Sequence, residues 1–240
     1  MYEERKYREY TNAEGLVKFE VIEAETDLLI MAEKNLYDQA LASVLKYRKQ
    51  LELFILDNPE FQKTFHPYRV PLFSSKIVRN MAWAAKRCRV GPMAAVAGAM
   101  AELVGYDLLP CSKEIIVENG GDNFLKILKT RKVGVFAGSS PLSEKIAMEI
   151  NPEDTPCGIC TSSGTVGPSF SFGKADAVCV ISRSAALADA AATAIGNVVQ
   201  DIDTIEKGLE MAKKIKGLSG VLIIKDDKMG ILGKIKIVPL

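Results

Sequence analysis

Two alanine-rich segments constrain this chain more than anything else in its sequence. Residues 92–104 contain Ala94, Ala95, Ala97, Gly98, Ala99 and Ala101, and residues 184–196 run Ser-Ala-Ala-Leu-Ala-Asp-Ala-Ala-Ala-Thr-Ala-Ile-Gly. Both predict helices, the first opening at Gly91-Pro92, where proline is tolerated in a first turn. Helices this thin let a neighbouring element approach the backbone closely. Around them the strand-like stretches arrive in consecutive runs: 16–22 and 28–32, then 114–118, 124–128, 132–137 and 145–150, then 175–182, and finally 220–225 and 231–238. That order predicts an α+β fold, with antiparallel sheets packed against helices, rather than βαβ alternation.

The remaining elements follow from periodicity and punctuation. Asn35 suits a helix cap, and Tyr37, Leu41, Val44, Leu45, Leu51 and Ile55 predict the buried stripe of a helix that stops before Asn58-Pro59. Residues 61–73, with Phe65-His66-Pro67 and a second proline at 71, predict an irregular loop. Ser74 or Ser75 would cap a helix reaching Cys88, whose Arg79, Lys86, Arg87 and Arg89 form a basic side. Residues 124–128 and 132–137 read as a meander, 202–215 as a helix, and 220–238 as a closing hairpin.

At 240 residues and 48% apolar content, one domain spanning 1–240 is expected, and the two Ala-rich helices hint at an internal duplication. With a net charge of +1, no global field selects nucleic acid or an anionic membrane. The apolar run 92–109 contains Glu102 and Asp107, which argues against a membrane span. The amino-terminal residues do not resemble a signal peptide, and five cysteines without a framework spacing point to reduced thiols in the cytoplasm.

Several residue groups suit a small anionic ligand. Asp189 and Thr193 lie four apart, on one helix face, and a hard divalent cation such as Mg²⁺ would accept both. An exposed aspartate on the back of a helix fits the same pattern. Asn119-Gly120-Gly121-Asp122 lets a backbone approach a phosphate, or simply turns a hairpin. Thr161, Ser162, Ser163 and Gly164 offer hydroxyls at a strand end, and Phe170 to Gly173 offers an aromatic to a planar ring or to the core. Cys157 and Cys160 form half a zinc site at most, which leaves Cys160 as a nucleophile or persulfide carrier, or as a small core residue. His66, the one histidine, is the candidate acid or base, or a plain loop residue.

Taken together these residues resemble the ApbE-like superfamily. The segment 188–194, Ala-Asp-Ala-Ala-Ala-Thr-Ala, is similar to the Ala-Asp-Ala-x-x-Thr-Ala helix of FAD-dependent flavin transferases, and the turn 119–122 and segment 161–164 resemble their Gly-Gly and Thr-Ser-Gly elements in the same order. The resemblance implies that Asp189 and Thr193 hold Mg²⁺ beside a flavin nucleotide. The chain departs from those transferases where they carry His-x-x-Asp-Pro-x-Thr-Gly, having only Val166 to Lys174 there, and lacks their Lys-Gly and lipoprotein signal. Segments 91–99, 118–122 and 160–165 look more like the short stand-alone branch of the superfamily found in anaerobic archaea and bacteria. That branch implies sulfide incorporation during homocysteine formation, with Cys160 carrying sulfur and partner proteins drawn from sulfur assimilation. The expectations are therefore three: sulfur handling at Cys160, a Mg²⁺-dependent flavin-nucleotide transferase or hydrolase, and a nucleotide-binding protein without catalysis.

Overall fold

The computed structural model describes residue 8, residues 13–164 and residues 172–240. The strands are β1 (Val17–Glu23), β2 (Thr26–Ala32), β3 (Ile115–Asn119), β4 (Asp122–Lys126), β5 (Arg131–Gly134), β6 (Ile146–Ile150), β7 (Cys157–Ser162), β8 (Ala177–Ser182), β9 (Leu218–Lys225), β10 (Lys228–Gly233) and β11 (Lys236–Pro239). The helices are α1 (Tyr37–Asp57), α2 (Glu60–Lys63), α3 (Lys76–Cys88), α4 (Val96–Leu108), α5 (Ala185–Gly196) and α6 (Ile205–Lys214). Eight strands form one sheet in the order β1-β2-β3-β4-β7-β8-β9-β10, and β11-β6-β5 form a second. All the paired strands are antiparallel.

The large sheet is covered on both faces, which is why β2 and β8 are buried at every position and read as continuous apolar runs. Side chains alternate across it. Val117, Phe124, Cys160 and Val180 face the helices, in a core with Leu103 and Ile195. Ile116, Leu125, Ile159 and Cys179 face the small sheet, in a second core with Val133 and Met148. No helix among the described residues is long and apolar enough to cross a membrane.

Four local expectations are corrected. The α1 stripe is Ala40, Ser43, Val44, Tyr47 and Leu51, while Tyr37 and Leu45 face outward. A short helix, α2, opens the supposed loop, and its Phe61 is fully buried against Phe54 and Tyr68. Strand β5 does not continue a meander with β4 but pairs with β6 in the small sheet. The terminal hairpin is β9–β10 alone, because Gly233, at φ +76°, turns the chain so that β11 joins β6. Ser75 occupies the N-cap position of α3 without a side-chain capping bond.

The thin helices do what their composition allows. A Cβ at Gly98 would lie 2.3 Å from the carbonyl oxygen of Ala185, and one at Gly158 would lie 2.2 Å from the Ala185 Cα. The first turn of α5 is therefore clamped between α4 and β7, with only glycine tolerated on either side. This clamp positions the site.

Candidate functional site

The β3–β4 hairpin closes on the Asn119–Asp122 pair. Gly120 and Gly121 have φ of +65° and +97°, the left-handed pair that a tight two-residue hairpin requires. A Cβ at either would meet nothing within 4 Å, so conformation rather than crowding selects glycine, and the outer side of the turn is open. Asn119 Nδ2 donates to the carbonyl of Ala97 at 3.1 Å, tying the hairpin to the first turn of α4.

Asp122 is the first residue of β4 and faces the helices, beside Cys160 of β7, one step beyond the Asn123–Ile159 pair. It is 8% exposed, and its Oδ1 is buried without a hydrogen-bond partner. Burial, then the nearby charge of Asp189, holds its carboxyl well above the usual carboxylate range. Asp189 projects from α5, and its Oδ2 accepts from the Gly98 amide at 2.9 Å. Desolvation pushes Asp189 up to about 7, against the amides of Gly98 and Ala97, which favour its charge. Among the described residues neither aspartate is paired with a lysine or arginine.

A reciprocal arrangement holds the two helices. Asp189 of α5 sits at the amino terminus of α4, and Glu102 of α4 sits at that of α5, accepting from the Ser184 hydroxyl at 2.9 Å and the Ala186 amide at 3.1 Å. Each carboxylate thus meets the positive end of the other helix's dipole. Glu102 figured in the sequence only as a charge that disfavours a membrane span. An acidic residue inside an apolar helix was the available signal, but its partner lies more than eighty residues away.

The other expected residues separate. Thr193 lies one turn beyond Asp189 and is half-buried. Ser162 shares the helix-facing side with Cys160, and its Oγ lies 3.6 Å from where a Cβ of Gly196 would be. Thr161 points the opposite way, its Oγ1 bonded to the Cys179 sulfur at 3.3 Å, because adjacent strand residues face opposite sides. Thr161, offered as a ligand-facing hydroxyl, is therefore turned away from Ser162, while its amide serves Asp122. Ser163 is half-buried, and the exposed Gly164 donates its amide to Ala175. Phe170 lies outside the described residues. Phe172 is half exposed and stacks edge-on with Phe65 at 5.5 Å. His66 is exposed, and its amide and carbonyl are held by the Thr64 hydroxyl. Among the described residues nothing bonds its ring to the aspartates.

The thiolate expectation at Cys160 is corrected. Its side chain is fully buried, its sulfur lies 3.3 Å from the Ala185 carbonyl oxygen, and desolvation followed by the charges of Asp122 and Asp189 pushes its thiol well above the ordinary value. A nucleophilic cysteine needs the opposite surroundings. Cys157 faces the small sheet, and burial raises it to about 12, so the pair cannot act together. Of the five free thiols only Cys111 is exposed. Titration of the native protein with a thiol-reactive chromophore should therefore show one fast group, with the other four appearing on denaturation. A second fast thiol removed by Cys160→Ser would contradict this placement.

Among the described residues no group of three or more His, Cys, Asp or Glu side chains has the arrangement of a metal cage. The donor set fits Mg²⁺ nonetheless, since that ion commonly takes one or two carboxylates and completes its shell with water and substrate phosphates. Asp189, fixed by Gly98, and the orphaned oxygen of Asp122 supply hard oxygens of that kind.

Comparisons with known proteins agree with this architecture. A family model described as AbpE bacteria matches residues 8–229. A UPF0280 protein of Methanocaldococcus jannaschii is 42% identical over 224 residues, covering 91% of each chain, and one of Methanocella arvoryzae is 40% identical over 212 residues, covering 88% of this chain and 86% of its own. Among solved structures, the flavin transferase ApbE from Vibrio cholerae superposes with a TM-score of 0.58 at 15% identity, covering 90% of this chain and 96% of its own. The apo flavinyl transferase ApbE of Pseudomonas stutzeri gives 0.58 at 12% identity, covering 90% and 93%. At those identities the likeness is one of fold, and the α+β arrangement of sheets and helices is that of ApbE proteins.

Proposed function

Since the chain belongs to the family described as AbpE bacteria, an ApbE-like branch, we propose that it binds a flavin nucleotide with a divalent cation and acts on the nucleotide's phosphates as a transferase or hydrolase. The observation that carries this reading is the carboxylate pair of buried Asp122 and half-buried Asp189, unpaired with any cationic side chain among the described residues. Leaving two such groups together is unfavourable unless one holds a proton or a cation joins them.

The roles follow from position. Asp189, oriented by the Gly98 amide, holds the cation, and Thr193 offers its hydroxyl one turn along the same face. Gly120 and Gly121 leave backbone open for the nucleotide, and Ser162 and Ser163 border the same end of β7. When bound, the cation supplies charge neutralisation on the phosphate oxygens. Burial and the charge of Asp189 favour the protonated form of Asp122 in the absence of a cation, and its unpartnered Oδ1 would give a bound cation a second oxygen. Cys160 remains a thiol and fills the space behind both aspartates. The surroundings of that sulfur favour the flavin reading over sulfur carriage.

Chromatographic analysis of FAD incubated with the protein tests the proposal. With Mg²⁺, water should cleave the FAD pyrophosphate to FMN and AMP, or FMN should become attached to an added acceptor protein with AMP released, and EDTA should stop either outcome. FAD that binds but stays intact would reduce the protein to a nucleotide-binding module. Absence of FAD binding at any Mg²⁺ concentration would remove the proposal.

A further inference from the structure

Between Glu60 and Glu102 the chain contains no acidic residue, yet it carries Lys63, Arg69, Lys76, Arg79, Lys86, Arg87 and Arg89. In a chain of net charge +1 this is a strong local imbalance. The fold gathers much of it onto one surface. On α3 the outward positions are Lys76, Arg79, Trp83, Lys86 and Arg87, spaced as one helical face, while Ile77, Val78, Met81, Ala84 and Ala85 are buried beneath. Arg87 stacks its guanidinium 4.5 Å from the centre of the Trp83 ring, which is 43% exposed. Among the described residues none of Arg69, Lys76, Arg79, Lys86, Arg87 and Arg89 is in an ion pair.

An apolar tip lies against this face. Leu72 and Phe73 are 84% and 99% exposed, and Arg79 Nη1 donates to the Leu72 carbonyl at 3.2 Å, joining the tip to the middle of the basic stripe. Two adjacent large apolar side chains held wholly in water are unfavourable, and here they protrude rather than line a groove. An exposed apolar tip bonded through Arg79 to a basic stripe that also carries a half-exposed tryptophan matches what an anionic lipid surface accommodates. Headgroups take the cations, and the acyl boundary takes the tip. An acidic protein would need a pocket shaped for Leu72 and Phe73, and a nucleic acid offers the leucine nothing. We propose that the α3 face and the 72–73 tip form a peripheral docking surface for anionic membranes, which the chain rests on without spanning.

Cosedimentation with vesicles of phosphatidylcholine containing phosphatidylglycerol, against phosphatidylcholine alone, tests this. The wild-type chain should partition onto the anionic vesicles and release in high salt. Leu72→Ser/Phe73→Ser should lower the partition coefficient by about tenfold or more. Lys76→Glu/Lys86→Glu should lower it by about tenfold through charge alone. Both variants alter exposed side chains, and unchanged thermal melting would confirm their folding. The proposal is overturned if the wild type ignores anionic vesicles, if it binds both vesicle types equally, or if either variant binds like the wild type. Binding to polyglutamate or to an oligonucleotide in place of vesicles, or self-association in sedimentation, would overturn it equally.

Discussion

Replacing Gly98 by valine is expected to destabilise the protein by about 3 kcal/mol or more. The new Cβ would be built 2.3 Å from the Ala185 carbonyl oxygen and 2.8 Å from the Asp189 Cβ. Both obstacles belong to α5, and the nearer is backbone, so no rotamer change relieves the clash. Helix α5 cannot retreat either, because Gly158 presses its Ala185 from the other side. In a chain of this size the loss corresponds to roughly 6–12 °C in Tm. It should also separate the Gly98 amide from Asp189 and so weaken metal binding in whatever folded population remains. Gly196→Ala is the matched control. A Cβ there would meet Ser162 Oγ at 3.6 Å, an ordinary contact, and alanine gains roughly 0.5–1 kcal/mol over glycine within a helix. Equal Tm changes for the two variants would show that the helices are not clamped as described.

Asp189→Asn should weaken Mg²⁺ binding on the order of 100-fold, equivalent to about 3 kcal/mol. The amide keeps an acceptor for Gly98 but removes the charge. The pH dependence identifies the group. In the metal-free protein the folded-state value of about 7 lies above the ordinary aspartate value of 3.8. The native state then binds the proton more tightly than the unfolded chain. Stability therefore falls as pH rises between these values and levels off above about 7. Asparagine should abolish that slope and make the metal-free variant the more stable form at pH 8. Cation binding has the opposite trend, because proton and metal compete for one carboxylate. Affinity should rise with pH toward about 7 and then plateau in the wild type, and be flatter in the variant.

Much of this architecture was legible because its signals are local. The paired glycines at 120 and 121 announce a hairpin whose φ values only glycine adopts comfortably. The alternation in β1 and the alanine content of α5 place those elements within a residue or two, whereas residues 92–95 form a 3-10 turn and α4 runs from Val96 to Leu108, four residues later than the expected 92–104 at each end. What was not legible depends on contacts distant in sequence. Nothing near residues 131–134 says that β5 pairs with β6 in a second sheet, or that β11 returns to join it. In the candidate site, the Asp189–Thr193 spacing was visible, but the bond of Asp189 to the Gly98 amide was not. The role of Glu102 was hidden for the same reason. A Cys-x-x-Cys spacing does not say whether two thiols share surroundings, and a strand sends residues three apart to opposite faces. Cys160 and Cys157 duly belong to different cores.

The central claim is that Asp189 is kept desolvated and oriented to hold a cation alongside a flavin nucleotide. Isothermal titration of FAD into wild-type protein and Asp189→Asn at pH 8, each with Mg²⁺ and with EDTA, tests it most directly. The account predicts tight binding only for the wild type with Mg²⁺, and weak binding of similar strength under the other three conditions. Binding that ignores both EDTA and the substitution would contradict it.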